Sequence, residues 1–325
     1  MRIINYYFGL LTAVIISMQG ILLASPPKKR VDLVTYSTYL LPREDFLQYK
    51  YLKHYYDLNA SYDLYQYVKD FKGDDPNLQK IIFLDYCEDP NLRKLPKNKL
   101  VCFKWEAHKA RLEFYEPYSV VYTFDDDLVD GKKFLKFYYP VLKPRIPNVP
   151  SFEEKKLFTM VAGNWIPERV KILDFFAQKP NGEFEFYGHA PSQYWTHEMY
   201  HGHIGGYYSS DQKLEVIKNY RFCFAFENTH TTPGYITEKI FDVFGAGAVP
   251  IYWGPNNVEK YIPKNCFIDY RDFSSDEQLY QFLKAMPKET YNQYLENIKL
   301  FLTSEKAHVF STEYFDILIY QAASQ

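Results

Sequence analysis

The chain has 325 residues, and its 38 Lys and Arg residues nearly balance its 40 Asp and Glu residues, which gives a formal net charge of -2. A nearly neutral chain lacks the broad basic field that holds nucleic-acid backbones, so we expect no nucleic-acid partner. Hydrophobic residues make up 47% of the sequence, which excludes a mainly disordered chain, and the length is sufficient for two domains of ordinary size.

The N-terminal residues 1–30 contain a hydrophobic segment, residues 6–24, that carries no charged side chain. Its length approaches what a helix needs to cross the hydrocarbon layer of a bilayer. We therefore predict a single-pass N-terminal anchor that places the protein in a membrane, either the Golgi membrane of a eukaryote or the inner membrane of a bacterium. The alternative is a signal peptide cleaved before Ser25, which would leave a secreted protein.

Residues 31–140 contain short apolar runs separated by polar connections that include proline. The runs KIIFLDYC, KLVCFKWE and YSVVYTF are typical of buried strands and predict a first domain built on a sheet. Residues 141–154 follow with Pro144, Pro147 and Pro150, which interrupt helix and sheet hydrogen bonding. We predict that this segment is the linker between two domains.

Residues 155–310 show a more regular pattern, in which the apolar runs LFTMVAG, FEFYG, RFCFAFE, VPIYW and CFIDY alternate with stretches of helical periodicity. This alternation is typical of βα units that build a parallel sheet. The sequence therefore predicts an α/β fold with a Rossmann-like second domain, followed by a C-terminal tail at residues 311–325.

The third of these runs is followed by residues whose side chains could bind a ligand. Glu227 and Asn228 come directly after the strand, and ligands of open parallel sheets bind beyond the carboxyl ends of the strands. A helix is predicted to start near Thr237, whose hydroxyl can cap free amides. With Glu238 and Lys239 in its first turn, this helix start can bind a diphosphate and ribose hydroxyls. An isolated Glu-Lys pair is also common on solvated helix surfaces, so the pair alone does not decide the function.

Residues 220–272 as a whole resemble a known family. The segments FEN, YITEK and GAVPIYWG occur there in order and at close spacing, and the similarity extends upstream through MVAGNWIPERVKILDFF to KWE. The sequence is similar to the α-1,3-fucosyltransferases of glycosyltransferase family 10. The resemblance implies a GT-B fold, in which an acceptor-side Rossmann-like domain at residues 31–140 faces a GDP-fucose-binding domain at residues 155–310 across a cleft.

The resemblance also implies an activity and its residues. The activity is transfer of fucose from GDP-fucose, with inversion, to a hydroxyl of an oligosaccharide, glycolipid or glycoprotein acceptor, with an α-1,3/4-type linkage. The resemblance assigns binding of the donor to five side chains: Arg169, Asn228, Tyr235, Glu238 and Lys239. Glu106, which closes the run KLVCFKWE, matches the carboxylate that serves the family as general base. We expect no cofactor and no bound metal, since the family generally needs none.

Alternatives to this interpretation remain open from the sequence. Asp125, Asp126 and Asp127 resemble the metal-binding carboxylates of another class of sugar-nucleotide transferases, although the context favours loop acids near the acceptor side. The segment HEMYH, residues 197–201, matches the zinc-hydrolase pattern, although Gly202 and the preceding proline confine any helix there to about two turns. The donor could also be another GDP-sugar, or the protein an inactive glycan-binding relative.

Overall fold

The computed structural model describes residues 27–325, apart from residues 45, 74, 108–110, 143 and 206–210. The predicted membrane segment at residues 6–24 lies outside the described residues. Within the described part of the chain, no helix combines the length and the apolar composition needed to span a bilayer.

In the first domain, the described residues form one parallel sheet of six strands, in the order β2-β1-β3-β4-β5-β6. The strands are β1 (Arg30–Thr35), β2 (Asp57–Tyr62), β3 (Leu78–Leu84), β4 (Leu100–Phe103), β5 (Val120–Thr123) and β6 (Phe134–Lys136). The helices of this part are α1 (Lys50–Tyr55) and α2 (Leu64–Asp70). The three runs predicted as buried strands overlap β3, β4 and β5, so that prediction is confirmed.

Successive residues of the central strands pack on opposite faces of the first sheet. Ile82 and Leu84 of β3 belong to one apolar cluster together with Phe103, whereas Ile81 and Phe83 belong to a second cluster. Because side chains alternate across a strand, apolar packing covers both faces of this sheet. The double coverage explains why these strands are continuous apolar runs in the sequence.

In the second domain, the described residues form a parallel sheet of five strands, in the order β11-β10-β9-β7-β8. The strands are β7 (Lys156–Ala162), β8 (Phe184–Gly188), β9 (Tyr220–Phe226), β10 (Val249–Trp253) and β11 (Ile268–Asp269). The helices are α3 (Pro167–Phe176), α4 (Asp211–Ile217), α5 (Glu238–Gly245), α6 (Asp276–Lys284), α7 (Lys288–Leu302) and α8 (Glu305–His308). The predicted apolar runs overlap these strands, and the predicted parallel sheet is confirmed.

The direction of strand addition reverses once in each sheet. In the second sheet the chain passes from β7 to β8 on one side and then returns to β9 on the other side of β7. In the first sheet the same reversal lies between β1 and β3. Ligands of such folds bind at the carboxyl ends of the strands beside the reversal. The topology therefore predicts a ligand-binding edge in each sheet, at the carboxyl ends of the strands beside the reversal.

Residues 311–325, predicted as a C-terminal tail, contain helix α9 (Thr312–Ser324), which packs against the first domain. Phe315 and Ile319 are buried in the same apolar cluster as β3 and β4, and the ring centroids of Phe315 and Phe103 lie 5.6 Å apart. These two residues lie on one face of the helix, and an amphipathic face of this kind is stabilised by packing. The segment is therefore part of the core of the first domain.

Candidate active site

Arg169 and Asn228 meet at the reversal point of the second sheet. Arg169 lies in the first turn of α3, which follows β7, and Asn228 comes after β9. The Nη2 atom of Arg169 donates to the side-chain oxygen of Asn228 at 3.1 Å and to the carbonyl oxygen of Phe226, while Nη1 donates to the carbonyl oxygen of Asn164 at 2.6 Å. These two predicted donor residues are thus in direct contact at the edge where a ligand of this fold binds.

The Arg169 guanidinium is a buried cation with anionic neighbours. The residue is 3% exposed. Burial lowers the pKa of Arg169, and the charges of Glu227 and Glu238 offset this only in part. Because arginine keeps its proton in proteins, the positive charge is permanent at this position. A cation removed from water interacts more strongly with a phosphate than one on the surface does.

The start of α5 is held by Glu227, the residue directly after β9. Glu227 is 0% exposed, and its carboxylate accepts hydrogen bonds from the Thr237 amide at 2.8 Å and from the Thr237 hydroxyl at 2.7 Å. The hydroxyl of Tyr252 in β10 donates to the same carboxylate at 3.2 Å. The prediction that the Thr237 hydroxyl caps the helix is therefore wrong. The Thr237 hydroxyl donates to Glu227 instead, because a buried charge without hydrogen-bond donors is more destabilising than an amide without a partner at the open end of a helix.

Lys239 and Glu238 form a charged pair in the first turn of α5. The Nζ atom of Lys239 lies 3.2 Å from the Glu238 carboxylate and 3.3 Å from the Glu227 carboxylate. Burial lowers the pKa of Lys239, but the two glutamates more than offset this and raise it. Burial raises the pKa of Glu238, but Lys239 and Lys213 outweigh burial and hold it at about 2. Both groups are therefore charged at neutral pH, beside the partial positive charge of the helix start.

Tyr235, three residues before α5, extends from the second domain into the first. It is 4% exposed, and its ring packs against Phe124 and Tyr139, with ring centroids 5.0 and 5.9 Å apart. These contacts place Tyr235 in an apolar cluster of the first domain. The residue therefore anchors the start of α5 to the neighbouring domain.

Glu106 follows β4, where side chains from neighbouring strand ends hold it. The hydroxyl of Tyr36, which follows β1, donates to the Glu106 carboxylate. The carboxylate of Asp85, directly after β3, accepts from the amides of Glu106 at 3.2 Å and Trp105 at 3.3 Å, and it pairs with Lys104 at 3.2 Å. Backbone and side chain of Glu106 are both fixed at the carboxyl edge of the first sheet.

Tyr139 connects the backbone directly before Glu106 with the donor side. Its hydroxyl donates to the carbonyl oxygen of Trp105, directly before Glu106, while its ring contacts Tyr235. Burial raises the pKa of Tyr235, and the charges of Glu227, Glu238 and Glu106 raise it further. The predicted base and the predicted donor residues therefore lie on the two sides of one contact between the domains.

Glu227, Tyr36 and Asp85 surround the predicted site residues. The sequence placed Glu227 at the ligand-binding end of its strand without a specific role, and it did not single out Tyr36 or Asp85. Glu227 and Asp85 share a local signal, because each is an acid directly after a buried strand beside the reversal of its sheet. Tyr36 has no such signal, since its partner Glu106 lies 70 positions away in the sequence.

The two motifs that could bind a metal ion, Asp125–Asp127 and HEMYH, have a local structure that does not fit a metal site. Among the described residues, no three or more His, Cys, Asp or Glu side chains are grouped so that they could hold a metal ion. Asp126 is bound instead by side chains that include Lys136. In HEMYH, which follows a short 3-10 helix at Ser192–Tyr194, Tyr200 pairs with Phe186 as an isolated bridge. The helix that the zinc-hydrolase pattern requires is not formed there.

Comparison with known proteins identifies the family. The family model described as "Glycosyltransferase family 10 (fucosyltransferase) C-term" matches residues 153–315, about half of the chain. The chain belongs to glycosyltransferase family 10. The match contains Arg169, Asn228 and the start of α5, and the resemblance inferred from the sequence is confirmed.

Curated relatives share part of this family 10 chain. The 4-galactosyl-N-acetylglucosaminide 3-alpha-L-fucosyltransferase 9 of Mus musculus is 31% identical over 182 residues, which cover 55% of this chain and 45% of that protein. A 3-galactosyl-N-acetylglucosaminide 4-alpha-L-fucosyltransferase of Bos taurus is 32% identical over 145 residues, which cover 43% of this chain and 35% of that protein. The chain thus spans less than half the length of these curated relatives.

Solved structures share the fold of the family 10 chain over most of its length. A crystal structure of an α-1,3-fucosyltransferase with GDP matches with a TM-score of 0.61 and 15% identity, covering 95% of this chain and 94% of that one. A DNA-modifying β-glucosyltransferase matches with a TM-score of 0.56 and 10% identity, covering 91% and 100%. At these identities the similarity shows the fold, an α/β architecture with two parallel sheets of the GT-B type, as predicted.

Proposed function

We propose that this family 10 protein is an inverting fucosyltransferase, which moves fucose from GDP-fucose to a hydroxyl of a glycan acceptor without a metal ion. One observation carries the proposal. Through Tyr139 and Tyr235, the contact between the domains joins the backbone directly before Glu106 to the loop that leads to the charged groups at the start of α5. A base on one side and a diphosphate site on the other are the parts that an inverting displacement needs.

In this proposal the second domain binds the donor. Arg169 and Lys239 contact the diphosphate and stabilise the negative charge that develops as the bond between fucose C1 and the phosphate oxygen breaks. The amides at the start of α5 add a partial positive charge. Glu238 accepts hydrogen bonds from ribose hydroxyls, and Asn228 and Tyr235 hold the nucleotide through neutral hydrogen bonds.

Glu106 is the general base of the proposed reaction. The acceptor oxygen attacks fucose C1 from the face opposite GDP, and its proton passes to the Glu106 carboxylate. GDP leaves with the electron pair of the broken bond. Because the acceptor attacks from the opposite face, the configuration at C1 inverts. The hydrogen bond from Tyr36 orients the carboxylate for this transfer, and Asp85 fixes the backbone that carries it.

The names of the relatives suggest the acceptor. They specify a 4-galactosyl-N-acetylglucosaminide for one enzyme and a 3-galactosyl-N-acetylglucosaminide for the other. We propose a glycan in which N-acetylglucosamine carries galactose, present on an oligosaccharide, a glycolipid or a glycoprotein. The linkage formed is then α-1,3 or α-1,4, according to which hydroxyl of the N-acetylglucosamine the galactose leaves free.

A transfer assay with radiolabelled GDP-fucose tests donor and acceptor together. The acceptors are N-acetyllactosamine, its β-1,3-linked isomer, and a mannose disaccharide as a control without N-acetylglucosamine. We expect labelled product from at least one of the first two and none from the third. Transfer from GDP-mannose alone would favour another GDP-sugar as donor, and GDP binding without transfer to any acceptor would favour an inactive glycan-binding protein.

We also propose that residues 6–24 hold the enzyme at a membrane. The support is the sequence, since the segment carries no charge over a length that approaches a membrane span. Cell fractionation tests the proposal, with the full chain expected in the membrane fraction and a chain lacking residues 1–30 expected in the soluble fraction with activity retained. A soluble mature protein that begins at Ser25 would show a cleaved signal peptide instead.

A further inference from the structure

Asp126, which lies just after β5 in the first domain, is bound by side chains from both domains. The Nδ2 atom of Asn257 donates to its carboxylate at 2.6 Å, and the hydroxyl of Tyr261 donates to it at 2.6 Å. The Nζ atom of Lys136, in β6 of the first domain, lies 2.7 Å from the carboxylate, and that of Lys260 lies 3.7 Å from it. A single carboxylate of the first domain thus gathers donors from across the domain boundary.

Asp126 is also linked to the loop that leads into the donor site. The side-chain oxygen of Asn257 accepts a hydrogen bond from the amide of Gly234 at 3.0 Å, and the amide of Asp126 donates to the carbonyl oxygen of Pro233 at 3.0 Å. Gly234 has a φ of +82°, and a Cβ there would collide with backbone at the end of β5. The loop is therefore pressed against the first domain, and its next residue is Tyr235.

The carboxylate of Asp126 stays charged in this setting. Its side chain is 17% exposed. Burial raises the pKa of Asp126, but the hydrogen bonds from Lys136, Tyr261 and Asn257 outweigh burial and hold the pKa below its ordinary value. A partly buried charge is strongly destabilising when its donors move away, so such a group favours one arrangement of its partners. Here the partners belong to the two domains.

We propose that Asp126 is a positioning residue for the donor site. Through Asn257 it holds the loop that carries Tyr235 against the first domain, so that the start of α5 faces Glu106. Within the Asp125–Asp127 run, Asp126 then serves to join the domains and does not bind a metal ion. The proposal rests on the proposed function for its GDP-affinity and kinetic readouts, whereas loop exchange does not depend on it.

The variant Asp126→Asn removes the charge and keeps the size of the side chain. We expect GDP affinity, measured by isothermal titration, to fall about tenfold, because charge-assisted hydrogen bonds that fix the loop are lost. The KM for GDP-fucose should rise by a similar factor. Hydrogen exchange at Gly234 and Tyr235, followed by mass spectrometry, should become faster. Asp127→Asn is the matched control, because Asp127 is the exposed neighbour, and it should leave all three quantities at wild-type values.

A second variant tests the contact from the other domain. Tyr261→Phe removes one donor to Asp126 and retains the ring, so we expect a smaller loss of GDP affinity. The double variant should bind GDP no more weakly than Asp126→Asn alone, because both changes remove one shared interaction. If circular dichroism shows that Asp126→Asn does not fold, Tyr261→Phe gives the same test through GDP affinity and loop exchange.

Wild-type GDP affinity and wild-type exchange in Asp126→Asn would overturn the proposal, and so would additive losses in the double variant. An equal loss in Asp127→Asn that Mn²⁺ restores would show a metal site and overturn it as well. A wild-type protein that does not bind GDP would contradict the proposed function, and the exchange measurement would then decide the role of Asp126 alone.

Discussion

The amide and the hydroxyl of Thr237 both donate to the carboxylate of Glu227, at 2.8 and 2.7 Å. This pair ties the end of β9 to the start of α5, and the same carboxylate lies 3.3 Å from the Nζ atom of Lys239. The position of the donor-side lysine therefore depends on a buried acid to which our proposed mechanism gives no ligand contact.

The variant Glu227→Gln tests this dependence. We expect the free energy of unfolding to fall by about 1.5–3 kcal/mol, the range for hydrogen bonds to charged groups, and GDP affinity to fall because Lys239 loses an orienting partner. Urea denaturation and isothermal titration measure the two effects. Glu289→Gln, at an exposed position of α7, is the control. A Glu227→Gln protein with wild-type stability would contradict the expectation.

The variant Lys239→Ala removes a cation from the proposed diphosphate site. We expect GDP binding to weaken by about 1.5–3 kcal/mol, since a charge-assisted contact is lost. Isothermal titration with GDP is the measurement, after a urea denaturation curve shows that the variant is folded. Lys299→Ala removes a lysine whose side chain is 63% exposed, and it should bind GDP as the wild type does. Unchanged GDP affinity in Lys239→Ala would exclude a donor role.

The variant Glu106→Gln keeps size and hydrogen bonding but removes basicity. We expect kcat to fall by about 10²–10⁴, the usual contribution of a general base, while GDP affinity stays near the wild-type value. Transfer kinetics and GDP titration on one preparation measure both. Tyr36→Phe is the companion variant, and loss of its hydrogen bond should lower kcat by a smaller factor, because the carboxylate loses an orienting partner. Near-normal turnover in Glu106→Gln would exclude it as the base.

Transfer should continue when divalent metal ions are removed. In the proposed site, Arg169, Lys239 and the start of α5 provide the positive charge that a metal ion supplies in other transferases. The measurement is fucosyl transfer with and without EDTA. A complete loss that Mn²⁺ reverses would favour a metal-dependent transferase.

Lys155 should make stability depend on pH. It is 5% exposed, and burial and the charge of Arg145 lower the pKa of Lys155 to about 7. The unfolded chain has a lysine pKa of about 10.4, so between these values the unfolded state binds more protons and stability rises with pH. From about pH 7 to about pH 9 we expect Lys155 to add about 2 kcal/mol, since one pKa unit is worth about 1.4 kcal/mol and the folded state is already half deprotonated at pH 7.

The variant Lys155→Met provides the comparison for this pH dependence. It keeps a long side chain and removes the titrating group, so the rise should be absent from the variant and should appear as the difference between the two proteins. Urea denaturation at both pH values measures it. Identical pH dependence in wild type and Lys155→Met would show that Lys155 does not titrate in this range.

The strands of the second sheet were predictable because most of their side chains are buried apolar groups. RFCFAFE and VPIYW correspond to β9 and β10 and are buried over nearly their whole length. Strand β2 was not predictable, because its sequence DLNASY is largely polar and lies at a sheet edge, where backbone pairing with β1 holds it. Its hydrogen bonds leave no trace in the hydrophobic pattern.

The predicted site residues came from the family resemblance, whereas their contacts required the folded chain. A capping rule considers the residues of one helix start, and it cannot detect that Glu227 approaches Thr237 from the preceding strand end. Asp126 is a stronger example, since its partners Asn257 and Tyr261 lie 131 and 135 positions away. Local sequence identified an acidic run there but could not identify its partners.

The packing of α9 on the first domain affects how the protein folds during synthesis. The first sheet begins at Arg30, whereas Phe315 and Ile319 complete the apolar cluster on one of its faces. When the first sheet leaves the ribosome, the residues that cover this face have not been made, and exposed apolar surface of this kind favours aggregation. The face stays open while the whole second domain is translated. The domain that is synthesised first is therefore the one whose core closes last.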